Sequence, residues 1–197
     1  MGLLSEAVTD QPVRQVVKDI IKMVKTQVSR EYSLPEEISE EYVNEYVFRQ
    51  LPFSFDVILD LTIEDGIEYY TNADLLGDDT IGVIVNINKM DYPSILYTLI
   101  GDLNDLIAHE IEHIYQNYGY RDVSLEKYPE YSQTTGKEYY KHPIEVPAQI
   151  KGFQRKARVT GKPIEELIRN YFEKNKEIYD LSDDDVKDII SYLLAKI

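Results

Sequence analysis

The chain has 197 residues, with 36 acidic against 21 basic side chains, a net charge of −15 at pH 7, and no cysteine. The size suffices to bury a core without covalent staples. The acidity disfavours nucleic acid or an anionic membrane surface as a partner, and the missing thiols exclude a disulfide framework and a thiolate metal site, so any metal must take nitrogen and oxygen ligands. No stretch approaches the roughly 20 apolar residues of a membrane span. The opening Met1-Gly2-Leu3-Leu4-Ser5-Glu6 has neither the basic region and apolar core of a secretory signal nor the myristoylation pattern, so a cytoplasmic protein is expected.

In chain order, Pro12 suits a first helical turn, and Val13, Val16, Val17, Ile20, Ile21, Val24 and Val28 then recur at spacings of three and four. Ser33-Leu34-Pro35-Glu36 offers a capping box, and Ile38, Tyr42, Val43, Tyr46 and Val47 continue a second apolar stripe. Two helices are therefore expected before any sheet. From Phe53 the period becomes two, with Phe53, Phe55, Val57, Leu59, Leu61 and Ile63 alternating with mostly polar residues, which predicts a strand. Asp65-Gly66 signals a hairpin turn, Ile67, Tyr69 and Thr71 alternate after it, and residues 72–80 read as a loop. Residues 81–88 read as the next strand. A small antiparallel sheet thus leads into the following helix.

That helix is predicted from Asp91 and Pro93 to Asn117-Tyr118-Gly119, where glycine suits the position just past a helix end. It carries Leu106-Ile107-Ala108-His109-Glu110-Ile111-Glu112-His113-Ile114-Tyr115, which contains H-E-x-x-H. Two histidines four apart lie on one helical face, a spacing that lets both imidazoles point at one ion while Glu110 reaches a water beside it. On a wheel of about 100° per residue, the leucines and isoleucines fill one arc, with Glu110 inside it and Asp102, Asp105, Glu112 and Gln116 on the other side. A carboxylate in the apolar arc is costly to bury without a charged or hydrogen-bonding partner, whereas Glu112 reads as a solvent-face residue.

Between Tyr120 and Tyr140 the sequence is polar and without period, as suits a connector or lid near a site. It is followed by Lys141-His142-Pro143-Ile144-Glu145-Val146-Pro147-Ala148, in which either proline suits a first helical turn. Catalytic zinc commonly takes three protein ligands and leaves a fourth position open. Glu145 is the candidate third ligand; His142 is a candidate donor to the oxyanion of a tetrahedral intermediate, as are Tyr139 and Tyr140, or an alternative ligand. Gly161-Lys162-Pro163 breaks the chain. Ile164, Leu167, Ile168, Tyr171 and Phe172 form another stripe, and Ser182-Asp183-Asp184-Asp185 caps a last helix bearing Val186, Ile189, Ile190, Leu193 and Leu194.

The helix-borne His109-Glu110-x-x-His113, preceded by a strand over 81–88 and followed by Glu145-Val146-Pro147-Ala148, resembles the gluzincin-type zinc metallopeptidases, whose small phage and bacterial members include the ImmA/IrrE-type peptidases. The resemblance covers residues 53–155. It implies Zn²⁺ held by His109, His113 and Glu145, with Glu110 as general base in peptide-bond hydrolysis, and it gives residues 82–86 the role of pairing with substrate as an added strand.

The expectation is therefore an α+β metallopeptidase forming a single domain over residues 1–197, with a core at 53–155 and helical extensions at 10–50 and 163–197. Its partner would be a peptide or protein substrate, with no nucleic acid and no membrane. The alternative is a non-catalytic protein that binds a partner, in a viral or bacterial assembly, on an inherited peptidase fold; a non-peptide hydrolase using the same site is a third reading.

Overall fold

The computed structural model describes residues 6–31, 38–49, 51–123 and 126–197. The described residues form six α-helices and one four-stranded sheet, an α+β fold as expected. They divide into two compact units, Met1–Glu110 and Ile111–Ile197, with the division falling inside a single helix.

In the first unit, helix α1 (Glu6–Glu31) buries Val13, Val16, Val17, Ile20, Ile21, Val24 and Val28, the stripe expected of it. Pro12 stands inside α1 and not in its first turn, because the helix begins six residues earlier; the missing N–H costs one backbone hydrogen bond. The second expected helix is instead strand β1 (Ile38–Val47). Its apolar residues are all β-branched or aromatic, and Tyr42 and Tyr46 lie on one strand face as well as one turn apart on a helix, so pairing with the next strand decides the conformation. The capping box over 33–36 lies outside the described residues.

Strand β2 (Ser54–Glu64) buries Phe55, Val57, Leu59, Leu61 and Ile63, and β4 (Thr80–Asn88) buries Ile81, Val83, Val85 and Ile87. Between them β3 (Tyr70–Leu75) occupies part of the expected loop. The sheet order is β1-β2-β4-β3, with β1–β2 and β3–β4 antiparallel but β2–β4 parallel. The sheet is therefore mixed and the Asp65-Gly66 hairpin does not form: Gly66 takes a left-handed φ of 85° and turns the chain, but β3 crosses to the far side of β4. Strand β4 is paired along both edges, which leaves residues 82–86 no free edge for a substrate strand; the outer edge on that side belongs to β3.

One face of the sheet is covered by α1. Tyr46 donates to Asp19 Oδ2 of α1 at 3.3 Å, and Gln27 of α1 bonds the Tyr42 hydroxyl, while Tyr42 and Tyr46 stand opposite Leu59 and Phe55 on the buried side of β2. Tyr69, just before β3, donates to Asp102 Oδ2 at 2.7 Å and so ties that edge to helix α2 (Leu96–Asn117).

In the second unit α2 ends in a Schellman motif. Gly119, at φ 70°, donates to Gln116 O, Tyr120 donates to Tyr115 O, and the Tyr115 and Tyr120 rings meet edge to face at 6.3 Å. The short α3 (Gly136–Tyr140), α4 (Glu145–Thr160), α5 (Ile164–Asn175) and α6 (Asp183–Leu194) enclose a core of Val146, Phe153, Leu167, Ile168, Phe172, Val186, Ile189, Ile190 and Leu193. The capping box at Ser182 forms as expected, with Asp185 as its reciprocal partner. Several of the seventeen tyrosines belong to this unit: Tyr140 packs on Phe172 and Tyr179 at 5.1 and 5.3 Å, and the Tyr171 and Tyr179 hydroxyls share a 2.8 Å hydrogen bond.

Burial, reinforced for Tyr46 and Tyr69 by an aspartate, raises the phenol pKa of both, and burial pushes Tyr115 up to about 12. A raised acid pKa means that the fold favours the neutral phenol, so this stabilisation is complete below an unfolded-state value near 10 and is lost as pH rises through 10 towards 12 and beyond. Alkaline titration followed at 295 nm alongside far-UV circular dichroism should show one class of tyrosines ionising near pH 10 and a late class ionising only as the helical signal falls. Ionisation of all seventeen in one step with the fold intact would contradict this.

Candidate metal centre

Helix α2 supplies the first two side chains. Leu99, Leu103, Ile107, Ile111 and Ile114 are buried along it, a stripe that fixes the rotation of the helix and so the heading of His109 and His113, one turn apart. Glu110 is buried, as its place in the apolar arc requires, with Oε1 4.0 Å from His109 Nε2.

The third side chain comes from α4. Glu145 is its first residue and only 1 % exposed. Pro147 is the third residue of that helix, within the turn whose N–H groups have no helical acceptor, so it costs no bond. The helix N-terminus also favours a negative charge at Glu145. Nitrogen or oxygen atoms of His109, His113 and Glu145 all lie within 4.8 Å of one another, a group able to hold a metal ion.

The geometry around His113 favours a cation there. His113 Nδ1 lies 2.9 Å from Gln116 Oε1, and Gln116 Nε2 donates to Ile144 O at 2.8 Å. The amide NH₂ is thus engaged by a carbonyl, its oxygen must accept, and the imidazole proton is held on Nδ1. His113 Nε2 is left as a lone pair, 3.2 Å from Glu145 Oε1. Two electron-rich atoms so close in a buried site need positive charge between them, supplied by protonating the ring or by a metal ion. Two ligands of a tetrahedral ion with bonds of about 2.0–2.1 Å stand roughly 3.3 Å apart, so the spacing suits a metal.

Gln116 therefore sets the tautomer of one ligand and, through Ile144, anchors the residue preceding the other. Tyr131, in a 3-10 turn over Pro129–Gln133, hydrogen-bonds its hydroxyl to Glu145 Oε1, and the Tyr139 hydroxyl lies 3.4 Å from that of Tyr131. Burial and the Glu145 charge raise the Tyr139 pKa, which keeps that phenol a neutral donor.

The structure brings His109, His113 and Glu145 together and leaves His142 out of the group. The His142 ring is buried, packed on Tyr128 at 5.4 Å and Tyr131 at 5.0 Å; its Nδ1 accepts from Ile144 N at 3.3 Å and its Nε2 lies 3.9 Å from Glu130. Glu112 is not the solvent-face residue expected. It is buried and forms a two-pronged ion pair with Arg121, whose guanidinium also lies over the Tyr115 ring at 4.6 Å. Gln116 and Tyr131 were not singled out by the sequence. Gln116 could have been, since it lies three residues beyond His113 and on the neighbouring helical face; Tyr131 sits in a segment with no period.

Comparison of the chain with protein-family models, curated proteins and solved structures finds no match. Among the described residues, no helix is long and apolar enough to cross a membrane.

If Gln116 sets the His113 tautomer, Gln116→Leu should weaken metal affinity about 10- to 100-fold, the usual effect of losing such an outer-shell partner. Competition with a chromogenic chelator measures this, and unchanged affinity in the folded variant would remove the role.

Proposed function

We propose that the protein is a zinc-dependent metallopeptidase. The observation that carries the reading is the buried pairing of His113 with Glu145, completed by His109 and flanked by a buried Glu110 one residue after the first ligand. The set has two imidazoles and one carboxylate, three protein ligands from two helices, as in catalytic sites that leave a position open. Nitrogen and oxygen donors suit zinc, and the chain has no cysteine to close a four-thiolate structural site.

When bound, zinc would supply Lewis-acid polarisation of a peptide carbonyl and lower the pKa of water towards ~7. Glu110 accepts the proton released by the attacking water and passes it to the leaving amine. Gln116 holds His113 in the ligating tautomer. Tyr131 donates its hydroxyl to Glu145, and Tyr139, whose hydroxyl lies 3.4 Å from that of Tyr131, is the neighbouring phenol that offers a hydrogen bond to an oxyanion. Among the described residues β3 is the edge strand beside β4, and its outer edge, replacing residues 82–86, is the one we assign to an extended substrate.

Glu110→Gln preserves shape and removes the base. It should retain metal at the wild-type level and reduce peptide hydrolysis at least 10²-fold, read with a fluorogenic peptide library on zinc-loaded protein. Hydrolysis at the wild-type rate in the variant would exclude Glu110 as general base.

A further inference from the structure

The sheet has a second face, on the side away from α1, that the metal centre does not use. On it, Val43 of β1 stands opposite Ile58 of β2, and Ile58 opposite Gly82 of β4. Gly82 has no side chain, and Leu76 fills its place: a Cβ added there would come within 2.9 Å of Leu76 Cδ1. Ile84 lies two residues along β4. Val43, Leu76 and Ile84 are 61 %, 62 % and 38 % exposed. The result is an apolar band running across the strands.

Carboxylates border this band. Asp56 and Asp60 flank Ile58 along β2, about 6.6 Å to either side. Glu45 pairs directly across from Asp56, and Asp74 directly across from Gly82. Like charges opposite one another weaken a sheet. Over residues 38–88 there are eleven acidic residues and one basic residue, Arg49. Among the described residues, no lysine or arginine forms an ion pair with Glu45, Asp56 or Asp60.

We infer that this face is a docking surface for a basic amphipathic segment of a partner protein, with its apolar stripe on Val43, Ile58, Leu76 and Ile84 and its lysines or arginines against Asp56, Asp60 and Glu45. A second copy of the chain is a poor occupant, because two such faces would bring carboxylate against carboxylate. Nucleic acid and anionic lipid carry the wrong charge for the same reason. Two inter-strand spacings, from β1 across β2 to β4, make the band about 10 Å long, the length of about two helical turns.

The probe is a labelled 14-residue amidated peptide, two repeats of Lys-Leu-Ala-Lys-Leu-Ala-Lys, titrated with the full chain by fluorescence anisotropy at about 150 mM NaCl, where exposed charges are screened beyond a Debye length. Saturable binding of one peptide per chain is expected. Asp56→Asn with Asp60→Asn should weaken it roughly fivefold to tenfold, and Val43→Thr with Ile84→Thr, which keep the β-branched shape, should weaken it comparably. Glu165→Gln with Asp184→Asn, an equal charge change on the exposed sides of α5 and α6, should leave it within about twofold. Absence of saturable binding, wild-type affinity in both sheet variants, or equal loss in the α5/α6 variant would overturn the assignment; equal loss would mean only general attraction to an acidic chain.

Discussion

The centre rests on one constraint, the hydrogen bond that Gln116 accepts from His113. Once the amide nitrogen is committed to the Ile144 carbonyl, its oxygen must face the ring, the ring proton must sit on Nδ1, and the Nε2 lone pair must meet Glu145. Everything near it serves that arrangement. The Schellman turn at Gly119 ends the helix that carries His109, His113 and Gln116; Pro147 is tolerated because Glu145 opens its helix; and Tyr131 bonds the same carboxylate oxygen that His113 meets. A buried carboxylate and imidazole cost several kcal/mol to desolvate unless geometry and charge compensate, so a site of this kind calls for a cation.

The polar side of α2 is buried by the same logic. Glu112 and Gln116 face away from the apolar arc, yet both are covered, one by Arg121 and the other by the start of α4. The chain after the Schellman turn folds back on the helix it has just left.

How much was legible in the sequence follows from the range of each interaction. His109, Glu110 and His113 could be read because their geometry is fixed within one helical turn, and the burial of Glu110 followed from its angle on the wheel. Glu145 could be read only because a catalytic site wants a third ligand. Glu112 was misread because the wheel equates polar with solvated, whereas its partner Arg121 lies nine residues on and beyond a turn. At β1, Tyr42 and Tyr46 share one face of a helix and equally one face of a strand, and only the pairing with β2 separates the two. Asp65-Gly66 correctly marks a turn, but no local signal says that the next strand will pair with β4 and not with β2. The open face was illegible for the same reason: its band joins residues from three strands and a loop, and exists only once the register is known.

The central claim is that His109, His113 and Glu145 hold a metal ion, and metal content tests it most directly. Elemental analysis of protein purified without a histidine tag or added metal, for the wild type beside Glu145→Ala, should give one divalent ion per wild-type chain and a reduced or absent content in the variant. A wild type that holds no metal even after zinc is offered and the excess removed, or a variant that retains it in full, would contradict the account.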